Sequence, residues 1–123
     1  MSDEIERDRA ATVHAVILVY RLLAAVCRKL PVPIALPEGI VMDSASMIPA
    51  VRRAAEVVRE EPLSQEHQAY LWGACLKWLA AADMLTALLR DWDDHRDWAI
   101  LLTLSEVKDT LSSVIEDLEL DLS

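Results

Sequence analysis

The chain has 123 residues and a mass of 13.8 kDa, which is the usual size of one domain. Hydrophobic residues make up 54 % of the sequence, so it can bury a sizeable core, and intrinsic disorder is excluded. It contains only 2 glycines, whereas sheet proteins need frequent turn residues between their strands. The composition therefore predicts one all-α domain over residues 1–123.

The net charge of −9 at pH 7 is concentrated near the C-terminal end of the sequence. Residues 91–123 contain 10 acidic and 2 basic side chains, a net charge of −8, whereas residues 1–90 are close to neutral. A negative field of this strength repels nucleic acid and anionic membranes, and it attracts basic partners. We therefore expect a protein partner with a basic surface, with no direct binding to nucleic acid and no membrane attachment.

The first predicted helix spans about residues 3–29 and is apolar over most of its circumference. Its polar exceptions, Arg7, His14, Arg21 and Arg28, recur every seven residues and so form one narrow stripe along the helix. The segment is long enough to cross a bilayer, but an arginine at mid-span costs about 2.5–3.5 kcal/mol on insertion. A helix packed among other helices accounts for the same pattern without that cost.

The rest of the chain predicts a four-helix bundle. Pro31 and Pro33 stop the first helix and begin an extended, proline-rich connection over residues 31–43. This connection is unusually apolar for a loop, so we expect it to lie across the bundle and cover core; a docking surface is the alternative. Apolar residues at helical spacing predict three further helices, over about residues 44–61, 64–92 and 95–118.

One acidic side chain of the third helix is predicted to be buried. Asp83 continues the apolar row that begins with Trp72, so the spacing turns it toward the core. A buried carboxylate needs a charged partner or strong hydrogen bonds. We therefore expect Asp83 to pair with Arg21, or else with His14 or Arg90, as a device that fixes the packing register.

The first and third helices carry more apolar surface than a four-helix bundle of this size needs to bury. Self-association through these two helices is the simplest way to cover the excess. The sequence therefore predicts a homodimer, with Tyr20, Trp72 and Trp78 near its interface.

The segment between the third and fourth helices resembles the start of a calcium-binding loop, because aspartates recur at alternate positions. The match fails where Arg96 replaces the turn glycine and Leu102 replaces the bidentate glutamate. Asp93 and Asp97 could share a cation near His95, but acids at such a turn also cap the next helix. We interpret them as caps.

Three carboxylate pairs raise the alternative of a metal-dependent all-α hydrolase, since helical bundles hold catalytic metals with carboxylates on facing helices. At 100° per residue these side chains project away from the apolar rows of their own helices, so they cannot converge on one metal within a chain. The pairs are Glu56 with Glu60, Glu106 with Asp109, and Glu116 with Glu119.

Other catalytic signatures are also missing from the sequence. The three histidines, His14, His67 and His95, are not placed beside a nucleophile that also has an acidic orienting group. Two isolated glycines exclude a glycine-rich phosphate loop. We expect no enzymatic activity, no cofactor and no bound metal.

The two cysteines, Cys27 and Cys75, lie far apart in apolar helical segments. They are expected to be small buried hydrophobes in a reduced, cytoplasmic protein, with a disulfide as the alternative.

The leading functional hypothesis is a protein–protein interaction module, either an adaptor or an inhibitor. Acids at a helix C-terminus oppose the helix dipole, and sequences accept such local conflicts at functional surfaces. A decoy that mimics nucleic acid is one form of this function, and a merely solubilising tail is the alternative interpretation of the charge. The residues expected to contact the basic partner are Asp109, Glu116, Asp117, Glu119 and Asp121.

A second class is a small-molecule-binding regulator with an apolar pocket between its helices. The residues expected to line that pocket are Trp72, Trp78, Trp98 and Met84.

Overall fold

A computed structural model describes residues 2–39 and 43–123. Within them the chain forms four α-helices and no strand, which confirms the predicted all-α bundle. Each helix boundary agrees with the predicted one to within a few residues, and the second helix ends in a short 3-10 turn, Val58–Glu60. The helices are α1 (Ser2–Arg28), α2 (Ser44–Val57), α3 (Gln65–Arg90) and α4 (Asp94–Asp117).

The helix directions follow from contacts near the helix ends. Thr12 is hydrogen bonded to Asp97, and farther along the same helices Leu22 and Lys108 line one groove, so α1 and α4 run parallel. His67, at the start of α3, contacts Asp117 at the end of α4, so α3 runs antiparallel to both. α3 packs against each of the other three helices and forms the centre of the bundle.

Two aromatic side chains anchor the core between α1 and α3. Tyr20 and Trp78 are fully buried, with ring centroids 5.5 Å apart. The Trp78 Nε1–H donates to the carbonyl of Val16 at 3.0 Å, and the Tyr20 hydroxyl donates to the carbonyl of Pro37 at 2.5 Å. The prediction that these two residues lie near a dimer interface is therefore wrong: packing inside the chain already covers them.

The prediction of a buried pair between Asp83 and Arg21 is also wrong. Both side chains are exposed, and the described residues contain no ion pair between them. The row that leads to Asp83 is the outer face of α3, where Trp72 and Leu76 are exposed. The core side of α3 is the other apolar row, which includes Leu71 and Trp78.

One buried carboxylate of the bundle is Asp97, in the first turn of α4. Its Oδ1 accepts a hydrogen bond of 2.5 Å from the hydroxyl of Thr12, which is itself buried. This bond fixes the register of α4 against α1, which is the role that the sequence had suggested for Asp83.

Side chains cap the starts of three helices, as their residue types favour. Ser64 Oγ accepts from the N–H of His67 at 3.1 Å, and Asp43 accepts from Ser46 at 2.9 Å. Asp93 accepts from the N–H of His95 at 2.9 Å, which agrees with the interpretation of the acids at this turn as caps.

The described part of the connection, residues 31–39, contains neither helix nor strand. Leu36 is buried against the core, and residues 40–42 lie outside the described chain. Glu61, only 2 % exposed, holds the start of the connection: its Oε1 accepts the N–H of Val32 at 2.9 Å. This buried glutamate was not anticipated from the sequence.

Both cysteines are free and fully buried. Burial is the main cause that raises the pKa of Cys27 to about 12, with a smaller contribution from the charge of Glu61. Burial raises the pKa of Cys75 as well. Both side chains therefore stay neutral at physiological pH and behave as small core hydrophobes.

Candidate acidic groove between α3 and α4

A polar groove of about 440 Å³ lies between the second half of α4 and the start of α3. Three of the five carboxylates that were expected to contact a basic partner line it together. Hydroxyl-bearing residues complete its walls. The lining residues are Tyr70, Asp109, Thr110, Ser113, Glu116 and Asp117.

The antiparallel packing of α3 against α4 brings these side chains together. His67 Nε2 lies 3.0 Å from Asp117 Oδ2, and Lys77 Nζ lies 3.0 Å from Glu106 Oε2. Tyr70 comes between His67 and Lys77 along α3, so the two contacts span the groove. Asp117, Lys77 and Glu106 are exposed and His67 is half-buried, so these contacts orient the helices locally and contribute little to stability.

The groove contains more carboxylate and hydroxyl groups that can accept hydrogen bonds than positively charged groups. The Tyr70 hydroxyl donates to Glu66 Oε1 at 2.6 Å, and this hydrogen bond is the main cause that raises the pKa of Tyr70. Asp109 and Glu116 are exposed on the α4 wall. Such a surface suits the guanidinium group, which binds carboxylates through two parallel hydrogen bonds.

The end of α4 is closed by a Schellman motif. The N–H of Leu120 donates to the carbonyl of Ile115 at 3.0 Å, and the N–H of Glu119 donates to that of Glu116 at 3.2 Å. The following leucines pack against the core, so the tail is folded rather than frayed. Asp121 accepts hydrogen bonds from Ser123, which lower the pKa of its carboxyl group.

Glu119 occupies the left-handed position of this motif, with φ of 52°. Glycine is the usual residue there, because a side chain costs about 1–2 kcal/mol in that conformation. Glu119 is therefore unfavourable twice: in its backbone conformation, and in its charge at the negative end of the helix dipole.

Glu119→Gly is expected to raise the free energy of unfolding by about 1 kcal/mol, because it relieves the left-handed strain. Glu116→Gly, three residues earlier and inside the helix, is the matched control and is expected to lower it by about 1 kcal/mol. Urea denaturation followed by circular dichroism measures both. A loss of stability in both variants would contradict the assigned strain.

The residues weighed as metal ligands do not form a metal site. All six members of the three carboxylate pairs are exposed, and Glu106 is paired with Lys77. Asp97 points to Thr12, while Asp93 caps α4. Among the described residues, no group of three histidine, cysteine or acidic side chains is placed to hold a metal ion.

The four residues expected to line an apolar ligand pocket do not share one. Trp78 lines a cavity of about 180 Å³ among α1, α2 and α3, together with residues such as Val13 and Leu85. Trp72 and Trp98 are exposed, and neither they nor Met84 line this cavity. The cavity is smaller than the 300–1,000 Å³, roughly, of ligand pockets.

Two helical segments, Asp3–Arg28 and Gln65–Arg90, are long and apolar enough to cross a membrane by length and composition alone. In the bundle, 44 % and 39 % of their most apolar windows is buried. Core helices of soluble proteins pass the same test, so these segments are weak evidence for a membrane location.

The sequence predicted the carboxylates of the groove but not Tyr70, Thr110 or Ser113. The available signal was the antiparallel pairing of α3 with α4, which places the start of one beside the end of the other.

No protein-family model matches the chain, and comparisons with curated proteins and with solved structures give no significant match.

Proposed function

We propose that this chain is a non-enzymatic protein–protein interaction module, an adaptor or an inhibitor, that binds a basic partner through the acidic groove. The observation that carries the proposal is the convergence of Asp109, Glu116 and Asp117 on one groove. Three of the ten acids in residues 91–123 thus contribute to one shaped surface, which supports a binding role over a merely solubilising one. We place the module in the cytoplasm, where its two free thiols remain reduced.

The chemistry of the groove supports an arginine-rich or lysine-rich partner. Its carboxylates accept from guanidinium and ammonium groups, and its hydroxyls can satisfy backbone groups of the same partner. The strained acid at position 119 lies just beyond the groove, where a glycine would be more stable. Retaining an acid there is the kind of local conflict that functional surfaces carry.

The test is a binding titration with a fluorescent oligoarginine peptide. The triple variant Asp109→Asn, Glu116→Gln, Asp117→Asn removes the three charges that line the groove. It is expected to weaken binding by about tenfold or more, because each removed charge deletes an ion pair with the peptide. The matched control, Asp3→Asn, Glu4→Gln, Glu6→Gln, removes three exposed charges from the start of α1 and is expected to change binding little.

The two variants have the same net charge, so the comparison separates the site from the overall field. Equal weakening in both would contradict the proposal, because binding would then follow net charge alone. Affinity for the wild-type chain should also fall steeply with added salt, since exposed charges are screened. Circular dichroism of each variant checks that the helices are retained.

A decoy of nucleic acid is the narrower form of the same function. In that form the carboxylates take the place of phosphates on the surface of a basic DNA-binding protein. The wild-type chain would then release an oligoarginine peptide from a DNA duplex, whereas the triple groove variant would not. A groove that binds the peptide without displacing DNA would exclude the decoy and leave the adaptor.

A further inference from the structure

One histidine of the described chain lies between a serine hydroxyl and a carboxylate. His67 Nδ1 lies 2.9 Å from the hydroxyl oxygen of Ser64, and His67 Nε2 lies 3.0 Å from Asp117 Oδ2. The prediction that no histidine lies beside a nucleophile and an acidic orienting group is therefore wrong at His67. The acid belongs to α4, so the antiparallel packing of α3 against α4 brings the three side chains together.

The hydrogen bonds assign a role to each nitrogen of this imidazole. A carboxylate only accepts hydrogen bonds, so Nε2 of His67 carries the hydrogen that Asp117 receives. In the neutral ring, Nδ1 is then the acceptor, and the hydroxyl of Ser64 donates to it. These are the roles of a Ser–His–Asp triad with the two ring nitrogens exchanged, and such triads are recognised by geometry and roles rather than by sequence position.

The hydroxyl group of Ser64 is held in place and is open to solvent. It caps α3, because its oxygen accepts the backbone N–H of His67 at 3.1 Å. The same oxygen contacts the ring of His67, so its position beside the imidazole is fixed at two points. Ser64 is exposed, whereas His67 is half-buried. A reagent from solution can therefore reach the serine oxygen while the imidazole stays oriented.

The start of α3 supplies donors for the negative charge that develops when a hydroxyl attacks a carbonyl carbon. The backbone N–H groups of Gln65 and Glu66 follow Ser64 directly, and among the described residues they have no hydrogen-bond acceptor. First-turn N–H groups form the positive end of the helix dipole. The N–H of the residue after a nucleophilic serine is a common donor to the oxyanion.

The charges around these side chains limit the reagents that can react there. Glu66 is exposed on one side of His67, and Asp117 is exposed on the other. These carboxylates repel an anionic reagent and admit an uncharged or cationic one. Tyr70 packs edge-on against the ring of His67, but its hydroxyl donates to Glu66 and so does not compete for the imidazole.

We propose that Ser64 is a nucleophile that uncharged or cationic activated esters acylate, with His67 as the general base and Asp117 as the residue that positions the imidazole. The serine oxygen forms a bond to the carbonyl carbon of the ester, and the bond from that carbon to the leaving oxygen breaks. His67 Nδ1 takes the hydroxyl proton and returns it to the leaving oxygen, which departs as an alcohol. Each chain receives one acyl group, so the step modifies the chain and goes beyond the binding role of the groove.

Treatment with p-nitrophenyl acetate, followed by peptide mapping with tandem mass spectrometry, tests the nucleophile. Acetylation of Ser64 is expected to exceed that of Ser105 and Ser112 by about a hundredfold, because those exposed serines have no histidine partner. The comparison is made among serines, since lysine amines also react with this ester. Equal acetylation of all three serines, or none at Ser64, would overturn the proposal.

A variant that keeps the helix cap separates the nucleophile from the fold. Asparagine caps a helix about as well as serine but has no hydroxyl, so Ser64→Asn is expected to fold normally and to lose acetylation at this position. Circular dichroism checks that its helices are retained. Acetylation of the peptide that contains residue 64 at an unchanged level would place the reaction on another side chain and contradict the assignment.

Substitution of His67 tests the general base. His67→Ala is expected to slow acetylation of Ser64 by about a hundredfold. Added free imidazole should restore part of the rate, because it can accept the proton in place of the missing side chain. A residue with a merely structural role would show no such rescue. Acetylation at the wild-type rate in His67→Ala, or a slow rate that imidazole leaves unchanged, would overturn the assigned base.

Substitution of Asp117 tests the positioning residue. Asp117→Asn is expected to slow acetylation by about tenfold, because the imidazole loses the acceptor that fixes its tautomer. Glu116→Gln, at the neighbouring exposed acid, is the matched control and should leave the rate unchanged. Equal rates in the two variants would contradict the role of Asp117. Acetylation is measured without a basic peptide, so this proposal and the acidic groove can fail separately.

Discussion

Trp78→Ala is expected to lower the free energy of unfolding by about 3–5 kcal/mol, because it removes the largest fully buried side chain of the core. The substitution leaves a cavity beside Tyr20 and deprives the carbonyl of Val16 of the indole N–H. Small domains are stable by only about 5–15 kcal/mol, so the variant should be partly unfolded under mild conditions.

Urea denaturation followed by circular dichroism measures this effect. Trp98→Ala is the matched control: its side chain is exposed, so the change should stay within about 0.5 kcal/mol. Tyr20→Phe removes only the hydrogen bond to Pro37, and its cost should be about 0.5–1.5 kcal/mol. Equal losses in Trp78→Ala and Trp98→Ala would contradict the assigned core.

Thr12→Val is expected to destabilise the fold by about 1–3 kcal/mol, although it keeps the shape of the side chain. The loss arises because the buried carboxylate of Asp97 loses its hydrogen-bond donor. Thr86→Val is the control, since the hydroxyl of Thr86 bonds only to a carbonyl within its own helix. Its effect should be within about 0.5 kcal/mol.

A double-mutant cycle isolates this interaction. Thr12→Val combined with Asp97→Leu replaces both polar partners with apolar groups, which is often nearly neutral. The double variant should therefore be more stable than Thr12→Val alone. Additive losses would show that Thr12 and Asp97 contribute separately, which would contradict their role in setting the register of α4 against α1.

The four helices could be predicted from the sequence because apolar periodicity and proline breaks are local signals. The stripe of Arg7, His14, Arg21 and Arg28 was likewise predictable, and all four side chains are exposed. A seven-residue recurrence places residues on one side of a helix without any knowledge of its neighbours.

When a helix has two apolar rows, its own sequence does not show which row packs against the core. α3 has two such rows, and the choice between them depends on where α1 and α4 pack. The row from Trp72 to Asp83 proved to be the outer one. The same ambiguity led to the wrong placement of Tyr20 and Trp78 near an interface.

The burial of Asp97 and Glu61 could not be predicted from the sequence, for a related reason. Asp97 is one of several acids near a helix start, where capping explains them all equally well. Only the parallel packing of α1 places Thr12 against it. Glu61 precedes Pro62 at the end of a helical segment, where an exposed acid is the ordinary expectation.

The candidate site was predictable in part. Charge counting located Asp109, Glu116 and Asp117, because a concentration of acids is visible in the sequence itself. The groove shape and the contribution of Tyr70 depend on the antiparallel pairing of α3 with α4. Glu119 drew attention for its charge, while its left-handed backbone became evident only in the folded chain.

Mapping of backbone amide shifts by NMR, during titration with an oligoarginine peptide, tests the proposed binding site most directly. The largest shifts are expected at Tyr70, Ser113, Glu116 and Asp117, with little change at Leu18 or Trp98, which are exposed outside the groove. Shifts centred on Leu18 and Trp98, or spread evenly over every exposed acid, would contradict the acidic groove as the binding site.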